Sequence, residues 1–225
     1  MIISVIDYGL SNLRSVCSAI SHLGSVPELI SSPEDIRKAD ALILPGVGAF
    51  SDGMEGLRKN GLDLAVREKA LSGTPLLGIC LGMQMLFDSS DEFGLHPGLG
   101  LIPGKVTRIP GTDSDGAVLS LPHISWEPLK VRSHGSGELP SAPDILEGIA
   151  PEEEFYFIHS YYAVPEKEIY TVADAEYGGH PLCAVAARDN IIGTQFHPEK
   201  SGEAGLKLLR NFIAFCENTT TGGRS

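Results

Sequence analysis

The sequence is short of positive charge, of paired cysteines and of long apolar runs, and each shortage removes a class of function. Seventeen Lys and Arg stand against 29 Asp and Glu, a formal net charge of −12. No long basic run appears, so the electrostatic footprint of a nucleic-acid binder is missing. An anionic membrane surface is an equally poor partner for such a chain. The four cysteines, Cys17, Cys80, Cys183 and Cys216, form no C-x-x-C pair, which suggests neither a zinc site nor a redox couple. A chain of this length needs no disulfide scaffold, and a reducing, cytoplasmic setting is the simplest expectation. No apolar stretch reaches the roughly 18 residues of a membrane span. The opening MIISVIDYGL lacks a basic flank and is interrupted by Asp7, so it reads as a first strand and not as a leader peptide. Neither a P-loop nor a G-x-G-x-x-G between strand and helix is present. His22, His96, His123, His134 and His180 follow no ligand spacing. No cofactor and no metal are expected.

What is present is the composition of an ordinary soluble protein, 42% hydrophobic and 20% charged over 225 residues. The pattern predicts one α/β domain over residues 1–217 and a polar, frayed tail over 218–225. Residues 2–6 form a β-branched apolar run suited to a strand buried on both faces. Residues 12–23 carry Leu13, Val16, Cys17, Ile20 and Leu23 at helical spacing, with Ser11 as N-cap and Gly24 beyond the end. Strands follow at 26–30, 41–44 and 76–79, with a helix over 57–71 interrupted near Gly61 and another beginning over 82–87. The alternation predicts a mostly parallel central sheet flanked by helices. Residues 94–151 are richer in Gly, Pro and Ser. Strands are expected there at 105–109, 118–121 and 126–131, as antiparallel additions to the main sheet, with an exposed loop over 133–143. Strands at 155–159, 182–187 and 191–195, a tight hairpin at 188–190 and an amphipathic helix over 203–217 complete the reading.

Three segments carry chemistry. In G-I-C-L-G, Gly78 and Gly82 flank Cys80 between a buried strand and a helix start. This is the cysteine form of the nucleophile elbow, in which a sharp strained turn exposes the nucleophile and small neighbours let strand and helix approach. A sulfur at the head of a helix is also activated as a nucleophile. The competing reading is an inert buried cysteine in a glycine turn. In H-P-E, His197 supplies the base that a sulfur nucleophile needs, and Glu199 the acid that orients it. Pro198 would hold the chain extended so that both side chains point the same way; alone, the segment also fits a surface turn. In P-G-V-G, residues 45–48, two glycines after a strand can turn backbone N–H groups outward as an oxyanion hole, or simply make a tight turn. Gln84, one helical turn after Cys80, reaches the same pocket. Glu92 suits an amino group or plain solvation. His159 is a second base or, more simply, a satisfied strand-end histidine.

Taken together, G-I-C-L-G-M-Q, H-P-E-K-S and P-G-V-G-A-F resemble the class I, or triad, glutamine amidotransferases, over nearly the whole chain and in the same order. The opening D-Y-G-L-S-N-L-R-S-V and the segment H-S-Y-Y at 159–162 are similar to the glutaminase subunit of imidazole glycerol phosphate synthase. The resemblance implies a flavodoxin-like fold and a defined set of roles. Cys80, His197 and Glu199 would be the catalytic triad. The amides of Leu81, Val47 and Gly48 would hold the oxyanion. Gly46, Gln84, Glu92 and the backbone of His159, Ser160 and Tyr161 would bind glutamine. Asn12, Arg14 and Lys200 would face a partner, a (β/α)8 cyclase subunit that receives the ammonia in a heterodimer. The loop 45–48 would act as a switch whose Val47 amide faces the oxyanion only once the partner holds its own ligand. Three positions depart from the family pattern. Ser125 and Glu127 flank Trp126 where glycine and asparagine are usual, and Ser11 replaces a glycine. They leave open a sister subunit feeding another synthase, for example one amidating a surface sugar. A catalytically silent module and a peptide-directed cysteine hydrolase are the remaining alternatives.

Overall fold

The computed structural model describes residues 1–10, 12–132 and 144–222, with side chains to residue 219. The expected loop 133–143, the Ser11 cap and residues 223–225 lie outside the described residues. The first half alternates as the pattern predicts: β1 (Ile2–Ile6), α1 (Leu13–His22), β2 (Val26–Ile30), α2 (Pro33–Lys38), β3 (Leu42–Gly46), α3 (Phe50–Lys59), α4 (Leu62–Leu71), β4 (Leu76–Cys80) and α5 (Leu81–Met85). The middle supplies β5 (Phe87–Ser90), β6 (His96–Pro97), β7 (Ile102–Arg108), β8 (His123–Pro128) and β9 (Lys130–Val131). The last third holds β10 (Glu154–His159), β11 (Tyr161–Pro165), β12 (Thr171–Tyr177), β13 (His180–Arg188), β14 (Ile191–Thr194) and α6 (Gly202–Gly222).

Eight strands make the central sheet in the order β2-β1-β3-β4-β14-β13-β12-β9. The first five run parallel; β13, β12 and β9 continue it antiparallel. The inner parallel strands β1, β3, β4 and β14 are buried almost throughout because helices cover both faces, whereas the edge strand β2 is largely exposed. Alternate residues of β3 divide between two cores. Ile43 joins Ile3, Val5 and Ile79 beneath Ile20 of α1 and Leu208 and Phe212 of α6. Leu42 and Leu44 join Ile6 and Leu76 beneath Met54, Leu57 and Val66 of α3 and α4. Where the sheet order steps from β4 to β14, both strand ends point at one crevice, the usual place for a ligand in an open α/β sheet.

The structure corrects several boundaries. The 57–71 helix is two helices, and the first begins at Phe50, where Gly53 and Gly56 lower the local helix propensity. The helix after Cys80 ends at Met85, and Phe87 opens a strand. Residues 118–121 form no strand, only an isolated bridge from Val118 to Thr112. The expected 126–131 strand is β8 and β9. Of the middle strands only β9 joins the main sheet. The others form a four-stranded sheet β11-β7-β5-β6 and a two-stranded sheet β10-β8 over the crevice. Asn12 occupies the N-cap of α1, and its side chain makes no cap bond. Helix α6 runs to Gly222, beyond the expected fraying point, with Thr219 Oγ1 donating to the Phe215 carbonyl at 2.9 Å. No described helix is long and apolar enough to cross a membrane.

Candidate active site

The site is built on the turn from β4 into α5. Cys80 sits there at φ 55°, ψ −112°, a region an L-residue occupies only when its surroundings force it. The flanking glycines supply the force. A Cβ on Gly82 would lie 1.8 Å from the Leu44 carbonyl oxygen, and one on Gly78 would lie 2.8 Å from the Gly82 oxygen and Met83 nitrogen. Helix α5 therefore rests directly on β3 and β4, and Cys80 is lifted toward the crevice.

Strand β14 delivers the second segment. His197 N–H donates to the Tyr156 carbonyl at 3.0 Å, and Ser201 Oγ donates to the His197 carbonyl at 2.6 Å while accepting Tyr156 N–H at 3.0 Å. Pro198–Lys200 form a single 3-10 turn, so only His197 is extended and the stretch is not held straight by Pro198. The turn achieves the same convergence: His197 Nδ1–H donates to Glu199 Oε1 at 2.8 Å, with side chains 2% and 1% exposed. Asn12 Nδ2 donates to the same oxygen at 3.4 Å, and Ser15 Oγ donates to Asn12 Oδ1 at 3.0 Å. His197 Nε2 has no other partner among the described residues. Burial opposes a charge on this imidazole, yet hydrogen bonding and charge from Cys80 and Glu199 outweigh it and raise its pKa to about 9. The ring is thus poised to accept and hold the Cys80 proton.

A cavity of about 300 Å³ opens over Cys80. Val47, Gly48, Leu81, Gln84, Glu92, His159, Ser160, Tyr161, His197 and Lys200 of the expected site residues line it, joined by Pro122 and Ile158. Gly46 and Glu199 lie behind this wall, Gly46 paired with Cys80 across β3 and β4. Asn12 backs Glu199, and Arg14 is exposed on α1. Three members are differently engaged than their sequence positions imply. Val47 N–H donates to the Leu10 carbonyl at 3.3 Å, so it is turned to that carbonyl and not to an oxyanion. Glu92 Oε2 accepts Phe50 N–H at 2.7 Å; it caps α3 across 42 residues and keeps only its other oxygen for a ligand. Gln84 donates both amide hydrogens within the protein, to the Tyr161 carbonyl at 2.9 Å and to Gln195 Oε1 at 3.0 Å.

His159 is the satisfied histidine of the two readings. Its Nδ1 bonds the Tyr161 carbonyl at 2.9 Å and its Nε2 meets His123 Nδ1 at 3.2 Å. Burial above all, with His123 and His197 nearby, pushes its pKa down to about 3, so it is no second base near neutrality. Sequence reasoning missed Gln195, whose Nε2 donates to Cys80 Sγ at 3.8 Å. It also missed Tyr8, whose buried hydroxyl packs beside Gly46 and Leu81. A lone Gln at a strand end and a Tyr in a turn carry no spacing signal. His123 was legible only as a histidine without metal spacing.

Fold and site together have the form of a cysteine-elbow hydrolase, with Cys80, His197 and Glu199 gathered at the C-terminal edge of a parallel sheet. The glutamine amidotransferase class-I family matches residues 4–215, and the chain belongs to that family. Curated relatives cover it almost end to end. The imidazole glycerol phosphate synthase subunit HisH 1 of Legionella pneumophila (strain Lens) is 44% identical over 211 residues, 94% of this chain and 98% of its own. The HisH subunit of Geobacillus sp. (strain WCH70) is 46% identical over 215 residues, 96% and 97% of the two chains. Among solved structures, PurLQS of Thermotoga maritima superposes with a TM-score of 0.70 at 20% identity, over 95% of this chain and 98% of that one. At that identity the likeness speaks for the fold.

Proposed function

We infer that this chain is the glutaminase subunit of an imidazole glycerol phosphate synthase in histidine biosynthesis. The observation that carries the reading is the convergence of Cys80 and His197 in one pocket, with Glu199 behind the imidazole, on a chain 44–46% identical to such subunits. Cys80 passes its proton to His197 and attacks the carboxamide carbon of glutamine. The Leu81 amide, at the unpaired head of α5, and an amide of the 45–48 loop hold the oxyanion. His197 then protonates the departing ammonia, and deprotonates the water that hydrolyses the glutamyl thioester to glutamate. Gln84 holds the Tyr161 carbonyl, and Glu92 offers its free oxygen to the substrate's amino group. The ammonia passes to a (β/α)8 cyclase subunit in a heterodimer, where imidazole glycerol phosphate is formed.

The surface around the pocket mouth suits that partner. Ile124 and Trp126 of β8, Ile158 of β10, Leu10 and Val47 are 37–56% exposed, an apolar rim of the kind that marks an interface. Lys200, at the pocket edge, lies 5.9 Å from the Tyr156 ring centroid. The two departures on β8 do not break this rim. Ser125 and Glu127 alternate with Ile124 and Trp126 and point the other way, into the structure. That favours the histidine-pathway partner over another synthase. The test is glutamate release from glutamine, with and without the cyclase subunit and its ribulosyl ligand. Strong stimulation is expected. Turnover indifferent to this cyclase would assign the chain to a different synthase, and turnover by Cys80→Ala would sink the nucleophile.

A further inference from the structure

The inward row of β8 makes a polar line that the catalytic scheme does not use. Glu127 Oε1 lies 2.7 Å from Ser125 Oγ, and Ser125 Oγ lies 2.5 Å from His123 Nε2. His123 Nδ1 is 3.2 Å from His159 Nε2, and His159 Nδ1 is 2.9 Å from the Tyr161 carbonyl. The line thus runs from a carboxylate 27% exposed to solvent to the wall of the substrate pocket. His123 is 0% exposed and stacked between Phe157 and Tyr177, with ring centroids at 5.7 and 4.0 Å. It has no room to seek other partners.

Counting protons along the line gives it a meaning. The Tyr161 carbonyl can only accept, so His159 carries its hydrogen on Nδ1. With His159 neutral, its Nε2 is a lone pair and His123 must donate from Nδ1. Ser125 then has one hydrogen and two neighbours that both accept in their ordinary states, the His123 Nε2 lone pair and the Glu127 carboxylate. One hydrogen cannot serve both. All the contacts close only if the line holds one proton more than a neutral His123 and an ionised Glu127 provide. That proton sits on His123, which donates to Ser125 while Ser125 donates to Glu127, or on Glu127 with both bonds reversed. Hydrogen shifts through Ser125 interconvert the two.

We propose that Glu127, Ser125 and His123 are positioning residues for the glutamine pocket, a proton-sharing line whose closure fixes His159 and, through it, the Tyr161 backbone. The proposal rests on this pocket being the glutamine site. Few charges face the line: Glu127 on its own strand, and His159 on β10 with His197 beyond it. From β12 comes Tyr177, whose hydroxyl donates to the Ser120 carbonyl at 2.6 Å. Burial holds His123 below its ordinary 6.5, partly offset by Glu127. The shared proton therefore leaves at lower pH than an ordinary imidazole would release it. Two acceptors then face each other, the line opens, and His159 loses its fixed seat.

The experiment pairs kinetics with ring-nitrogen NMR on the complex with the cyclase. In the wild-type chain KM for glutamine should rise with pH across the imidazole range, with kcat moving less. Glu127→Gln is the decisive variant. Its amide donates to Ser125, Ser125 donates to His123, and the line closes with no titrating proton, so KM should stay low and become flat with pH. Ser125→Ala should hold KM at the open-line value at every pH, several-fold above the wild type at low pH and level with it at high pH, and Ser125→Thr should restore the wild-type profile. In ¹⁵N spectra the His123 ring should titrate in the wild type and keep one Nδ1–H tautomer throughout in Glu127→Gln. A KM profile unchanged by Glu127→Gln, or a His123 ring that does not respond to it, overturns the proposal. The spectra read the line without turnover, so failure of the glutamine assignment would show separately, as absent saturation by glutamine.

Discussion

His197 sets the pH behaviour of the site. Its pKa is raised to about 9, with burial opposing and Cys80 and Glu199 prevailing. A raised imidazole stabilises the fold fully below its ordinary 6.5, and that contribution is lost as pH rises through about 9. Glutamine hydrolysis needs the same proton for the departing ammonia, so kcat should fall through the same region. Glu199→Gln removes a charge and a charge-assisted bond from the ring. It should move that alkaline limb to lower pH and reduce kcat by about 10²- to 10⁴-fold, read from a pH–rate profile. Asn12 acts one step further back. Its 3.4 Å bond to Glu199 is long, so Asn12→Ala should lower kcat by at most about tenfold, the equivalent of about 1.4 kcal/mol. The proposed nucleophile and base stand out in the sequence because such chemistry imposes spacing: glycines at ±2 around Cys80, an acid two residues after His197. Gln195 and His123 were not, because each meets its partners across strands far apart in sequence, Gln195 with Cys80 over 115 residues and His123 with His159 over 36.

At the level of elements, the sequence revealed those whose burial is periodic. The parallel strands β1, β3 and β4 are largely apolar runs, and α1 and α6 carry stripes of Leu, Ile and Phe. Helix α2 escaped because six residues with one buried side chain, Ile36, leave no period to read. Its ends are nonetheless written in capping chemistry, Ser32 Oγ accepting Asp35 N–H at 3.2 Å and Pro33 in the first turn. Strands β5, β6 and β11 escaped for a different reason: their segments are short and half exposed, and β11 pairs with β7 across a long stretch of chain. The elbow is the element whose local sequence is least free to vary. Gly82→Ala would place a methyl 1.8 Å from the Leu44 oxygen, forcing α5 off β3. It should cost about 3 kcal/mol or more by urea denaturation and remove activity together with stability. Cys80→Ala, by contrast, should melt near the wild type while losing glutamine hydrolysis.

Over the whole molecule, the pocket, the apolar rim and the 45–48 loop share one end of the sheet, so a partner seated on the rim would sit beside the chemistry. Trp126, 49% exposed, projects from a strand whose opposite face carries the His123 line. Trp126→Ala should weaken association with the cyclase by about 2 kcal/mol, roughly 30-fold in Kd, while the slow turnover of the isolated chain stays as it was. The loop makes that slow turnover the expected resting state. Val47 N–H is spent on the Leu10 carbonyl, and Leu10 and Val47 are both part of the exposed rim. A partner that docks on the rim touches both ends of that hydrogen bond and can exchange it for contacts of its own, freeing the Val47 amide for the oxyanion. A missing oxyanion donor typically costs about 10²- to 10³-fold in kcat, so partner and ligand together should stimulate hydrolysis by about that factor. Stopped assays of glutamate release, run on the isolated chain and on the heterodimer with the ribulosyl ligand, measure it directly. An isolated chain already turning over at the heterodimer's rate would mean that the Leu10 bond restrains nothing and that the Leu81 amide holds the oxyanion without Val47.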